Sequence, residues 1–337
     1  GKLDGRMGAP PWSAATVVSA TEAHATETPA ADNIAFVFVK PHACTPAMLE
    51  LVVQRLHERG VEVVRSGHVN GAEVDARGII DSHYASIARI GMERDVLKIA
   101  IGVKEAQSFF AGYDKRYDDA LAEGSVHSAA TAIEAMDVNP SELLERCLAA
   151  GYVKLRSGLY CAKLCDHAGR ALYVLNGFYA RMREKFVAQG VVVNWFVVRF
   201  DSSRLSWRDF RREVIGATNP PDAVDGSLRA EGLKRWEELG FAAEPNYQDN
   251  GVHASASPLE ALRERVIWLG DDPATDPFGA SLREQGMHED LVRALIEDPA
   301  ITVGGGGKPS SAFDCLEDVD TPEALKALLT CSVVASD

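Results

Sequence analysis

Between residues 216 and 264 the chain gathers side chains that can do chemistry. Gly216-Ala217-Thr218-Asn219-Pro220, Gly226-Ser227-Leu228-Arg229 and Asn250-Gly251-Val252-His253-Ala254-Ser255 place a hydroxyl, a guanidinium, an amide and an imidazole in glycine-punctuated loops. Loops held by a rigid scaffold are where such groups usually meet a ligand. His253 alone would signify little, because surface and core histidines outnumber catalytic ones; the company it keeps is the signal. A second glycine-rich stretch, Gly304-Gly305-Gly306-Gly307-Lys308-Pro309-Ser310, imitates a phosphate-binding loop. It lacks a hydroxyl residue directly after the lysine and a strong strand before the glycines, so it reads as a flexible linker.

The charge balance limits what those loops can meet. Lys and Arg number 35 against 49 Asp and Glu, a net charge of -14. Such a field repels phosphate backbones and disfavours nonspecific nucleic-acid binding. An anionic substrate is held only where a few cations converge locally. With 337 residues, 46% hydrophobic and 25% charged, the chain is expected to fold around at least one sizeable core. No run approaches the ~20 apolar residues of a membrane span, and a soluble, intracellular protein is expected, cytoplasmic or organellar. Cys44, Cys147, Cys161, Cys165, Cys315 and Cys331 are scattered and read as reduced buried thiols, with no metal assigned to them.

The elements that must position the loops follow from apolar patterning. Residues 1–33 have no apolar period and read as a flexible leader. Ile34 to Val39 is an almost wholly apolar run suited to a strand buried on both faces, ending at Lys40-Pro41. Thr45 and Pro46 open a helix carrying Met48, Leu51, Val52 and Leu56 at helical spacing, and Gly60 closes it. Val61 to Val69 reads as a strand, Ala76 to Ile90 as an amphipathic helix, and Val191 to Phe200 as a central strand. Helices are expected over 129–136, 141–150, 177–186, 205–215 and 259–269, with short ones at 289–297 and 322–329. Strands alternating with helices imply one sheet covered by helices, an α/β sandwich.

Taken together and in this order, the segments resemble the nucleoside diphosphate kinases, in which a histidine carries a phosphoryl group between nucleotides. The similarity covers about 34–91 and 176–270: Phe36-Val37-Phe38-Val39-Lys40-Pro41 at its start, His83-Tyr84 where the family has a similar pair, and the three loop motifs with Glu264 at its end. It implies an α+β sandwich with a ferredoxin-like core over 34–270, an inserted helical subdomain at about 92–175, and an extension over 271–337.

Carried over residue by residue, the resemblance implies that His253 is the nucleophile, splitting one difficult transfer into two easier ones. Lys40, Arg212 and Arg229 resemble the phosphate-contacting cations, Arg211 being the neighbour of Arg212, and Thr218 adds a hydroxyl donor. Asn250 resembles the ribose-hydroxyl ligand, Tyr84 the tyrosine beside the phosphate, and Phe178 the aromatic on which the base stacks. Glu264, with Ser255 nearby, would orient the imidazole. Mg2+ would arrive on the phosphates of ATP, with no protein metal ligand. Nucleoside diphosphates would be the acceptors, homo-oligomers would be expected, and 92–175 could bind a protein partner. The sequence departs from the family in the longer stretch between Arg229 and Asn250 and in Ala256, where an acidic residue is usual. Two other readings stay open: a different small-molecule acceptor, and a non-catalytic module that responds to nucleotides.

Overall fold

The computed structural model describes residues 32–304 and 308–334. The leader at 1–33 therefore lies outside the described residues except for Asp32 and Asn33, and so do Gly305 to Gly307 of the glycine-rich stretch. Strand β1 (Asp32–Val39) buries Ala35 through Val39 completely, as its apolar run requires. The helix Pro46–Glu58 follows: the Thr45 hydroxyl accepts from the Met48 amide at 3.2 Å, and Met48, Leu51, Val52 and Leu56 face the core. Gly60 stops it at φ 69, a conformation glycine adopts without Cβ strain. Strand β2 (Glu62–Asn70) comes next.

The single helix expected over 76–90 is instead two short ones, Ile79–His83 and Ala85–Gly91, preceded by a separate helix Gly71–Ala76. Gly78 takes a left-handed φ of 60, and Tyr84 leaves helical geometry at φ -101, ψ 38. These breaks let His83 and Tyr84 approach the sheet, where the His83 ring meets Phe38 edge-on at 5.5 Å.

The stretch at 92–175 has the two helices expected over 129–136 and 141–150, Ala129–Met136 and Pro140–Ala150, and two that were not, Val103–Tyr113 and Tyr117–Ala122, but helices alone do not describe it. It also contains a four-stranded sheet of β3 (Val126–Ser128), β4 (Val153–Arg156), β5 (Leu159–Cys165) and β6 (Ala171–Leu175), in the order β3-β6-β5-β4. The strands are short, and tight turns at Gly158 (φ 73) and Gly169 (φ 77) close the last three into hairpins. One apolar cluster gathers Phe109, Tyr117 and Tyr173, and another gathers Leu143, Cys147 and Ala162. The insertion thus has a core of its own.

The helix Tyr179–Val187 and strand β7 (Val192–Asp201) return the chain to the first sheet. The helix expected over 205–215 is a single turn, Trp207–Asp209, that widens into a π-helical turn, Phe210–Ile215. Helix Leu228–Lys234, edge strand β8 (Val252–Ala254) and helix Pro258–Leu269 complete the core. The main sheet has the order β2-β7-β1-β8, every neighbour antiparallel. With its helices this is the ferredoxin-like arrangement of two β-α-β halves, opened between the second and third core strands to admit the insertion.

The residues after 270 are packed against this core. Helices Pro277–Glu284, Glu289–Leu295, Ala312–Leu316 and Thr321–Leu329 join a small sheet of β9 (Ala300–Val303), β10 (Ser310–Ser311) and β11 (Cys331–Val333). Their apolar side chains share one cluster with Leu259 and Leu262 of the last core helix. Arg265 of that helix is buried, gripping Asp276 at 2.6 and 2.9 Å and the Ile34 carbonyl at 2.9 Å. All six cysteines are free, but only Cys147 and Cys161 are buried, while Cys165 is exposed. Among the described residues no helix is long and apolar enough to cross a membrane.

Candidate active site

Strand pairing places the imidazole. His253 sits on β8 opposite Phe38 of β1, and its ring stacks on the Phe38 ring with centroids 4.6 Å apart and planes 23° apart. His83 closes the edge at 4.7 Å. From helix Pro258–Leu269, Glu264 reaches His253 Nε2 with Oε1 at 2.6 Å, and its Oε2 accepts from the Ser255 hydroxyl at 2.6 Å. Ser255 is itself fixed by the Phe36 amide at 3.0 Å. With Nε2 taken, Nδ1 is the ring nitrogen that has no partner among the described residues. The His253 side chain keeps 17% of its surface exposed against 2% for Glu264. The pair is therefore accessible from the histidine side only.

Burial and the nearby charges of Lys40, Arg229 and Arg211 hold the His253 pKa well below the usual range. A neutral ring that donates Nε2–H to Glu264 carries its lone pair on Nδ1, the nucleophilic tautomer. Burial, with the Arg229 charge assisting, lowers Lys40 to about 8. Its ammonium donates to the Gln248 carbonyl at 2.8 Å. Burial likewise lowers Arg229 to about 10, and its guanidinium donates to the carbonyls of Val252 at 2.8 Å and Gly216 at 2.9 Å. Burial raises Glu264 to about 7 against the pull of His83 and the Ser255 hydroxyl. Burial also raises the Tyr84 phenol, keeping it protonated.

A cleft of about 760 Å³ opens over His253. Lys40, Tyr84, Phe178, Arg212, Thr218, Arg229, Asn250 and His253 all line it, with Glu264 directly behind the histidine. Their distribution is uneven. Arg212 stands at the rim, its side chain 62% exposed and paired with Glu213 at 2.7 Å. Its neighbour Arg211, also in the cleft wall, is less exposed at 30%; the two lie in a π-helical turn in which Gly216 N donates to Arg211 O at 2.9 Å. Phe178 precedes helix Tyr179–Val187 and meets the rings of Tyr152 and Tyr160 edge-on, each at 5.9 Å. Asn250 donates to the Thr218 carbonyl at 2.9 Å, while its Oδ1 is buried without a partner. An unpaired buried acceptor at the cleft suits a ligand hydroxyl.

Several lining groups were not signalled by the sequence. Lys185 pairs with Asp249 at 2.6 Å, tying the loop before Asn250 to helix Tyr179–Val187. Glu260 takes the Ala256 amide at 2.8 Å, and burial beside Glu264 raises its pKa to about 8. Glu317 and Asp318 enter from the extension. Lys185 and Glu260 sit among the ordinary charged residues of two helices, and Glu317 and Asp318 sit in an acidic turn between helices, so nothing local marked them. Among the described residues, His83, His253 and Glu264 are close enough together to hold a metal ion. Two imidazoles and one carboxylate suit a softer ion than Mg2+, which prefers oxygen ligands and its own waters.

No family model matches the chain. Nucleoside diphosphate kinases from two strains of Streptococcus thermophilus are 40% identical to it over 68 residues, 20% of this chain and 40% of each relative. The chain thus spans about two fifths of the length of the curated relatives it matches. Among solved structures, the apo nucleoside diphosphate kinase of Encephalitozoon cuniculi is 15% identical, covering 71% of this chain and 90% of that one at a TM-score of 0.33. The Borrelia burgdorferi enzyme, with bound vanadate and ADP, is 19% identical, with 71% and 87% covered and a TM-score of 0.32. The NDP kinase of Pyrobaculum aerophilum is 16% identical, with 70% and 95% covered and a TM-score of 0.34. The fold assignment rests on the strand order and register of the main sheet.

Proposed function

We propose that the chain is a phosphotransferase of the nucleoside diphosphate kinase type. The observation that carries this reading is the His253–Glu264 contact of 2.6 Å, which fixes Nε2 and leaves Nδ1 at a cleft surrounded by cations. Nδ1 attacks the γ-phosphorus of ATP, the bond to the β-phosphate oxygen breaks, and ADP leaves. An oxygen of a second nucleoside diphosphate then attacks the same phosphorus, and the N–P bond breaks. Lys40, Arg229 and the Tyr84 hydroxyl stabilise charge on the transferring oxygens. Glu264 stabilises the positive charge that the ring acquires as the N–P bond forms. Asn250 Oδ1 accepts from a ribose hydroxyl, and Phe178 offers the base a face. Mg2+, carried on the nucleotide phosphates, neutralises part of their charge.

A second reading keeps the phosphohistidine and changes the acceptor. It is favoured by the insertion, whose Leu144 joins Phe178 in the cleft wall. Incubation with γ-labelled ATP is expected to give an acid-labile, base-stable phosphoprotein that His253→Ala abolishes; label persisting in that variant refutes the assignment. A chase with nucleoside diphosphates is expected to discharge the label rapidly. A label that these acceptors leave in place favours the second reading.

A further inference from the structure

The extension re-enters the cleft at one point. After helix Ala312–Leu316, Glu317 and Asp318 both line it, and Arg211 Nη1 donates to Glu317 Oε1 at 3.0 Å and to Asp318 Oδ1 at 2.5 Å. Neither acid belongs to the ferredoxin-like core.

The acids are anchored from several sides. The Asp318 amide donates to the Ala256 carbonyl at 2.9 Å, one residue beyond Ser255. Asp320 Oδ1 accepts from the Trp207 amide and from Asn33 Nδ2, each at 2.6 Å. Asn33 Oδ1 in turn accepts from the Thr321 amide at 2.8 Å and its hydroxyl at 2.9 Å. Asp318 itself holds a φ of 61. A non-glycine residue persists in that left-handed region where its surroundings over-determine it.

The grip is also one-sided. Both carboxylates take Nη1, whereas Nε and Nη2 of Arg211 have no hydrogen-bond partner among the described residues. A guanidinium is a rigid planar fork, so fixing one end sets the direction of the other. An exposed surface pair would contribute little. Here Asp318 is held by a backbone bond, and the arginine that both acids grip lines the same cleft as His253.

We propose that Glu317 and Asp318 are positioning residues: by gripping Nη1 they aim Nε and Nη2 of Arg211 at the transferring phosphoryl group, making the extension part of the active site. This inference rests on the phosphohistidine reading above.

The test is rapid-quench measurement of phosphoenzyme formation from γ-labelled ATP by the full chain. The variants are Arg211→Ala, the double variant Glu317→Ala/Asp318→Asn, and the triple combination. Asparagine is chosen at 318 because it tolerates the left-handed backbone. The double variant is expected to slow labelling at saturating ATP by about 10- to 100-fold, with half-saturation shifted less than about threefold. The triple variant should be no slower than Arg211→Ala alone, because the acids act through that arginine. Restoring Asp318 alone should recover part of the rate. An unchanged rate with only a lowered melting temperature overturns the proposal, as do additive losses. Tighter ATP binding at an undiminished rate also overturns it, by showing that the acids compete with phosphate. A wild-type chain that takes no label defeats the phosphohistidine reading itself, and this proposal with it.

Discussion

The floor of the cleft and its walls are built differently. The floor is core sheet: β1, β8 and helix Pro258–Leu269 hold Phe38, His253, Ser255 and Glu264 through strand register and short hydrogen bonds, and Arg229 is tied to β8 through the Val252 carbonyl. The walls come from added segments: Phe178 leans on the insertion's Tyr152 and Tyr160, while Glu317 and Asp318 come from the extension. Under the proposed function the floor carries the reaction and the walls select what enters. Substitutions in the floor should act on the chemical step, and those in the walls on recognition, apart from the arginine that the extension aims.

Arg229→Ala is expected to strike the floor hardest. It removes a cation bonded to the carbonyl of Val252, the neighbour of His253, and should lower the labelling rate by about 100- to 1,000-fold. It also leaves the Gly216 and Val252 carbonyls without their donor, so denaturant unfolding should show a loss of roughly 1–3 kcal/mol. Full activity in this variant would break the division between floor and walls. Glu264→Gln should slow labelling by about 10- to 100-fold with ATP half-saturation unchanged, since the ring loses its charged anchor while the phosphate contacts stay. An equal rise in half-saturation would place Glu264 in binding instead.

Phe178→Ala tests the wall. Half-saturation by ATP should rise about tenfold, within the ~1–3 kcal/mol of a base–aromatic stack, while the saturated rate holds. A fall in the saturated rate would show that the wall also shapes the chemistry. The smallest effect is in pH dependence. Lys40, lowered to about 8, is charged below that value and loses its charge above it. The labelling rate at limiting ATP should fall by about threefold between roughly pH 7.5 and pH 8.5. Lys40→Arg, which stays charged, should remove that decline; a decline that persists assigns it to another group.

The legible parts of the molecule were those governed by local chemistry. The run from Ile34 to Val39, the Thr45-Pro46 start and the Gly60 stop are visible because burial, capping and glycine conformation act on neighbouring residues. The loop motifs around Thr218, Arg229 and Asn250 were legible as a set, and the structure brings them to one cleft. The π-helical turn was not legible: Arg211 and Arg212 have the same side chain, and only the backbone register separates the inward residue from the rim. The insertion's sheet was missed although β4, β5 and β6 follow one another with Gly158 and Gly169 between them; only β3, three residues long and directly before a helix, carries too little pattern to read. Glu317 and Asp318 could not be seen from sequence, because an acid pair a hundred residues away along the chain carries no local mark of the arginine it meets.

Glu264 occupies Nε2 of His253, and the proposed reaction reserves Nδ1 for phosphorus. Phosphorus and nitrogen NMR of the ATP-treated protein under alkaline conditions distinguishes the two phosphohistidine isomers directly. A single species phosphorylated at Nδ1 of His253 is expected. Phosphorus found on Nε2, or on any other side chain while His253 stays unmodified, would contradict it.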